Sequence, residues 1–198
     1  MVKKKLFIEG TTDDTNGDLA TGFTTLFKQK LNEKMPQIIM ADGKGTTIDK
    51  FKNTVYPIRA GESIDRFLLV DLDGKEEQKQ KDIEDNDLVK YHKDTKENDT
   101  PKYHNRCFYM IQEMECWFLS QPDVLKERYG NDLLNKIPKR NASEIDNPNE
   151  KLNEWLRPLG KGYHKVKDGV RMLKLLNLEK LMTDFPDVKN LVEELAKP

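Results

Sequence analysis

The chain is poor in the residues that build covalent staples, membrane spans and metal fingers. Its 198 residues include two cysteines, Cys107 and Cys116, and three histidines. Two cysteines without CxxC spacing give no disulfide framework, which suits a reducing compartment and predicts a cytoplasmic protein. His92, His104 and His164 show no HxxxH spacing and no cysteine pair, which argues against zinc. No apolar run approaches the ~20 residues that span a bilayer, so no membrane partner is expected. The basic start Met1-Val2-Lys3-Lys4-Lys5 passes through Leu6-Phe7-Ile8 straight into Glu9, whereas a signal peptide needs about 7–15 apolar residues there. Neither sign of charge dominates: 34 Lys and Arg face 35 Asp and Glu, a net charge of -1. That balance argues against coating nucleic acid by bulk charge, so any contact with a polyanion must be local.

What is present reads as an α/β fold with a mostly parallel sheet of about four strands. Residues 5–8 form a first strand ending at Glu9-Gly10. Leu19, Phe23, Leu26, Phe27 and Leu31 then recur at helical spacing, with Thr15 or Asn16 as the N-cap. Pro36 closes that helix before a second strand at 37–40. Gly43 and Gly45 mark a turn, followed by a short helix at 46–53. Phe67-Leu68-Leu69-Val70 is a continuous apolar run, the pattern of a strand buried on both faces. Strand, helix, strand, helix, strand implies right-handed parallel crossovers. Between residues 75 and 102 stand seven Lys and nine acids, so 75–105 is expected to be unable to build a core: a solvated helix plus a mobile loop, or a charged insertion ordered by a partner. A fourth strand follows at 107–111, then helical character to residue 129, broken near Gln121-Pro122. Residues 131–148 are expected to be loop, with later helices at 150–156, 166–182 and 188–196. Residues 1–130 thus form the core, and 131–198 a helical C-terminal extension packed on it.

Parallel α/β sheets carry their functional groups at the carboxyl ends of strands. Glu9 stands at one such end, followed by Gly10, which permits a sharp turn; Asp13 lies four residues on. Asp71 and Asp73 follow the third strand at i,i+2 spacing, which predicts a shared face. Glu113 and Glu115 repeat that spacing after the fourth. Clustered carboxylates repel, and a divalent cation removes the conflict; hard oxygen donors of this kind select Mg2+ or Mn2+. Such ions can activate water and stabilise a leaving oxygen in phosphodiester cleavage.

Glu9-Gly10-Thr11-Thr12-Asp13 after a strand, with Leu69-Val70-Asp71-Leu72-Asp73-Gly74 about sixty residues on, resembles the TOPRIM domain of topoisomerases, DnaG-type primases and OLD-family nucleases. The chain more closely resembles an uncharacterised bacterial family with a TOPRIM-like core. That likeness is carried by Gln112-Glu113-Met114-Glu115-Cys116-Trp117-Phe118-Leu119, by Asn147-Pro148 and by Tyr163-His164-Lys165. The resemblance implies Mg2+ held by Glu9, Asp71 and Asp73, and a nuclease acting on DNA or RNA in a defence-type setting. It also implies a partner ATPase of the ABC/SMC-like type, leaving open a latent or non-catalytic subunit. The acidic stretch after Gly74 departs from TOPRIM cores, which run there into a compact helix.

Asp13 and Glu113 or Glu115 would complete the metal set. Residues 157–174 hold Arg157, Lys161, Lys165, Lys167, Arg171 and Lys174 against Asp168 alone. That stretch reads either as a solvated helix face or as a phosphate-binding patch, with Lys165 a candidate to stabilise transition-state charge. Asp71-Leu72-Asp73-Gly74 also matches the start of the haloacid-dehalogenase phosphatase signature, but that motif continues with Thr or Val where this chain has Lys75. Gly43-Lys44-Gly45-Thr46-Thr47 lacks the earlier glycine of a P-loop, since position 38 is Ile. It reads as a turn with a Thr cap.

Overall fold

The computed structural model describes residues 3–11, 18–53, 64–91 and 106–198. In chain order they form β1 (Lys3–Glu9), α1 (Leu19–Leu31), β2 (Gln37–Ala41), α2 (Lys44–Asn53), β3 (Ile64–Asp71), α3 (Lys79–Asp85), β4 (Cys107–Met110), α4 (Glu115–Leu119), α5 (Pro122–Tyr129), α6 (Asn131–Leu134), α7 (Pro148–Leu156), α8 (Lys165–Leu175), α9 (Leu178–Asp184) and α10 (Pro186–Ala196). The four strands make one all-parallel sheet in the order β2-β1-β3-β4. Helices flank it, and the C-terminal part is helical, as the sequence implies. Among the described residues no helix is long and apolar enough to cross a membrane.

The strands read as near-continuous apolar runs because both faces are covered. Leu6, Ile8, Phe67, Leu69, Phe108 and Met110 point into the larger core with α1 and the helices after β4. Their neighbours Phe7, Leu68, Val70, Cys107 and Tyr109 point into the smaller one, against Ile48 and Phe51 of α2. The alternation follows from the two-residue period of a strand. Within the larger core α1 lies directly on α8. Gly22 of α1 permits this close approach: a Cβ there would come within 2.8 Å of the Leu173 side chain.

Four expectations change. The charged segment does contribute to a core: Ile83 of α3, with Leu88 and Tyr91 after it, covers the smaller face of the sheet. Three apolar side chains suffice because the rest of that short helix stays in water. Residues 131–148 are not all loop: α6 and a 3-10 turn at Ala142–Glu144 bury Leu133, Ala142 and Ile145. The helix expected over 166–182 is two helices: Leu176 takes an extended conformation after α8, and the Asn177 side chain then caps Lys180 N–H of α9. At the front of α1 the cap is Asp18, which accepts from Ala20 N–H; Thr15 and Asn16 lie outside the described residues.

Candidate functional site

The chain leaves β1 towards β2 on one side and returns to β3 on the other, so the crossovers part between the carboxyl ends of β1 and β3. Such a switch point opens a crevice in parallel sheets. Glu9 ends β1 and Asp71 ends β3, and the Asp71 backbone N–H donates to Glu9 Oε2 at 3.1 Å. Gly10 has φ +153 and packs so tightly on Met40 that a Cβ would approach its methyl group to 2.7 Å. The flexible Met40 end could move aside, but the positive φ would still strain any side chain at this turn. Asp71 is only 3% exposed. Its Oδ1 accepts the Met114 N–H at 2.9 Å, and its Oδ2 accepts from Lys165 Nζ at 3.2 Å.

A second buried carboxylate, Glu115, opens α4. Its Oε1 accepts the Tyr163 hydroxyl at 2.7 Å, while Oε2 is buried with no hydrogen-bond partner. Burial pushes Asp71 well above the usual carboxylate range. Lys165 opposes that shift, and the charges of Glu115, Glu9 and Asp73 reinforce it. Burial likewise raises Glu115, against the pull of Lys165 and the Tyr163 hydroxyl. It also raises Glu9, against the Asp71 N–H. Burial would lower Lys165, but Asp71 and Glu115 outweigh it and hold the ammonium protonated.

The turn that delivers Tyr163 and Lys165 is fixed from below by Asp168. This buried carboxylate accepts the His164 N–H at 2.9 Å, the Tyr129 hydroxyl at 3.0 Å, and Arg128 through Nε at 2.9 Å and Nη2 at 2.6 Å. Asn153 Oδ1 accepts the Tyr163 N–H at 3.0 Å. Tyr163 in the loop and Lys165 at the start of α8 are thereby aimed at Glu115 and Asp71.

Asp73 does not share a face with Asp71. The strand ends first, and Asp73 adopts a left-handed backbone, φ 58, as does Gln112 after β4, φ 59. The two turns are tied by Asp73 N–H to Gln112 O at 2.7 Å and Gln112 N–H to Gly74 O at 2.9 Å. The Asp73 carboxylate is exposed and lies 3.6 Å from Lys44 Nζ. Lys44 also donates to Asp82 at 2.6 Å and to Leu72 O at 3.3 Å. Glu113 and Glu115 likewise part company: Glu113 accepts the Asn149 N–H at 2.9 Å, closing the first turn of α7.

The structure thus gathers Glu9, Asp71, Asp73, Glu115 and Lys165 at one end of the sheet, with Glu113 at its margin. Asp13 lies outside the described residues. Among the basic residues, Lys167, Arg171 and Lys174 form an exposed stripe at i, i+4, i+7 on α8, separate from Lys165. Arg157 is exposed in the turn after α7, and Lys161 donates to Tyr129 O. Lys44 escaped the sequence reading. Its motif turns at Gly43 but has no Thr cap: α2 starts at Lys44, Thr47 lies inside the helix with Oγ1 donating to Ala41 O and Gly43 O, and the helix start brings the Lys44 ammonium to Asp73. Its one sequence signal is a lysine directly after a strand-end glycine turn. Tyr163 was visible only as part of the Tyr-His-Lys motif.

Among the described residues no three His, Cys, Asp or Glu side chains stand ready-grouped around a metal position. By donor chemistry the cluster nonetheless fits a hard divalent cation. Its acids offer only carboxylate oxygens, and one buried oxygen, Glu115 Oε2, has no donor.

Fold and site together define an all-parallel α/β domain with a cluster of acids and one lysine at its switch point. Residues 8–196 match the family model described as Domain of unknown function (DUF4276), and the chain belongs to that family. No curated protein and no solved structure matches it.

Proposed function

We propose that this protein is a Mg2+- or Mn2+-dependent nucleic-acid-processing enzyme with a TOPRIM-like core, cleaving phosphodiester bonds of DNA or RNA. One observation carries the reading: acids from the two strands flanking the switch point converge there, the Glu9 carboxylate accepting the Asp71 backbone N–H and the Asp71 carboxylate accepting from Lys165. Buried carboxylates in mutual conflict cost stability, and such conflicts concentrate at functional sites. Glu9, Asp71 and Asp73 would hold the cation, with Glu115 behind them. When bound, the cation supplies charge neutralisation on the phosphate and activation of water.

The chain's own residues do the rest. Lys165, kept protonated by its acidic neighbours, offers fixed positive charge to a phosphate oxygen as charge grows there. Lys44 screens Asp73 at the crevice mouth. Tyr163 holds Glu115 in place, and Asp168 holds the turn that bears both Tyr163 and Lys165. Arg157, Lys167 and Arg171 on the exposed surface serve the phosphate backbone. The buried free thiols Cys107 and Cys116 suit a cytoplasmic setting. A role in bacterial defence beside an ATPase follows from the family resemblance alone.

Purified protein incubated with plasmid and single-stranded oligonucleotides, with Mg2+, with Mn2+ or with EDTA, tests the reading. Terbium luminescence provides an independent readout of cation binding. Cleavage and terbium binding are both expected to depend on Asp71. Cleavage that persists unchanged in Asp71→Asn would sink the assignment of the site.

A further inference from the structure

A second concavity lies at the far end of α4. Glu115 begins this helix in the acid crevice, and Leu119 at its last position lines a groove of about 630 Å³. Four residue steps at ~1.5 Å each separate the two along the helix axis, roughly 6 Å. The floor of the groove is aliphatic. Leu119 and Ile145 are buried, and Leu134 and Ile137 are half-exposed across from Pro122. The rim is cationic: Lys139 and Arg140 stand side by side on the loop after α6, and Lys180 of α9 donates to Ser120 O at 2.7 Å. Asp184 is the single acid in the lining. Lys139 and Arg140 are exposed and pair with no acid among the described residues.

Elsewhere in the molecule several partly buried cations have acids: Lys44 has Asp82, Lys79 has Asp187, Arg128 has Asp168 and Lys165 has Asp71. Around the groove three cations meet one acid, in a chain whose total charge is -1. Apolar floor and unpaired cationic rim together describe the complement of a particular ligand. We infer that this groove docks a short acidic segment of a partner protein, with an aliphatic or aromatic side chain seated on the floor and carboxylates on Lys139, Arg140 and Lys180. The apolar anchor supplies affinity, and the charge ring supplies orientation and selectivity. A nucleic acid fits less well. The lining contains no aromatic ring on which a base could stack, and an aliphatic floor gives nothing to a sugar-phosphate chain. This site is independent of the catalytic reading above.

A phage-displayed library of random 12-residue peptides, selected on the whole protein, tests the inference. Enriched sequences are expected to carry Asp or Glu around one or two large apolar residues. A synthetic peptide of that consensus should bind the Lys139→Glu, Arg140→Glu double variant at least about tenfold more weakly than the unaltered protein. Binding to the unaltered protein should weaken between 50 mM and 500 mM salt, as exposed charge pairs are screened. Ile137→Ser should weaken binding at both salt concentrations, because it alters the floor and not the rim. Circular dichroism and the thermal midpoint confirm that each variant is folded. The inference is overturned if no sequence is enriched, if the enriched sequences lack acids, or if the consensus peptide binds the charge-reversed variant equally well. It is also overturned if single-stranded oligonucleotides, rather than peptides, lose binding in that variant.

Discussion

Two buried aspartates meet at the amino-terminal end of α8: Asp71 from β3, and Asp168 from the first turn of the helix itself. Asp71 meets the Lys165 ammonium, and Asp168 accepts the His164 N–H. They are 3% and 1% exposed, and burial pushes both carboxyl groups towards the neutral form. In Asp168 the push fails: the His164 N–H, Arg128 and the Tyr129 hydroxyl outweigh it and hold the group below the ordinary carboxylate range. In Asp71 the push wins, because Lys165 is shared with Glu115 and the further charges of Glu9 and Asp73 add repulsion. One carboxylate is surrounded by donors and holds the chain together. The other accepts from Met114 N–H and Lys165 but lies among three further acids, an arrangement that costs stability and is typical of functional sites.

The comparison breaks most visibly in activity. Asp71→Asn keeps an oxygen for the Met114 N–H but removes the charge, so cleavage should fall by about 10²–10³-fold. Its stability in urea should stay within about 1 kcal/mol of the parent, since the charge removed was disfavoured by burial. A large loss of stability there would mean that Asp71 is structural after all. Asp168→Ala should do the reverse. It strands the Tyr129 hydroxyl and the His164 N–H, and it frees Arg128, which keeps partial access to water. The expected cost is about 2–4 kcal/mol, seen as a fall in Tm of roughly 5–12 °C. If it costs no more than Asp71→Asn, the contrast is lost.

A smaller effect sharpens the same contrast in acid. The folded-state value of Asp168 lies below its unfolded value of about 3.9. Its contribution is therefore fully present above that unfolded value and is lost as pH falls through the folded one. Stability measured by chemical denaturation down the acid limb should thus fall less steeply in Asp168→Asn than in the parent. An equal slope would show that other carboxylates carry the acid sensitivity. The smallest effect belongs to the exposed stripe of α8. Lys167→Glu with Arg171→Glu should leave stability within about 0.5 kcal/mol. Removing two phosphate contacts should reduce the salt dependence of oligonucleotide binding by a slope of about 2. An unchanged slope would make that stripe a solvated helix face.

Much of the fold was legible because strand runs and helical spacing are local properties. Leu6-Phe7-Ile8, the 67–70 run and the apolar period of α1 follow from side-chain periodicity alone, and Glu9 and Asp71 at strand ends follow from them. The errors fall where a decision was non-local. Residues 75–91 are too polar to be read as core, yet one exposed sheet face gives Ile83, Leu88 and Tyr91 somewhere to go. Spacing i,i+2 predicts a shared face for Asp71 and Asp73 only if the strand continues, and the left-handed turn at Asp73 ends it. Lys44 stands 29 positions before Asp73, and nothing in its neighbours reveals that the parallel crossover returns to it.

The sequence by itself therefore determined the four strands, most of the helices, and that Glu9 and Asp71 would stand at strand ends. Tertiary structure decided which of those acids meet. It paired Glu9 with Asp71 across the switch point, left Asp73 at the mouth with Lys44, and turned Glu115 inward while Glu113 closed the first turn of α7. It also separated Lys165 from the rest of the basic stretch, although they lie within a few residues of one another. The physical reason is that periodicity is set by the covalent geometry of neighbouring residues. Burial and electrostatic conflict exist only after distant segments have been brought within a few ångströms.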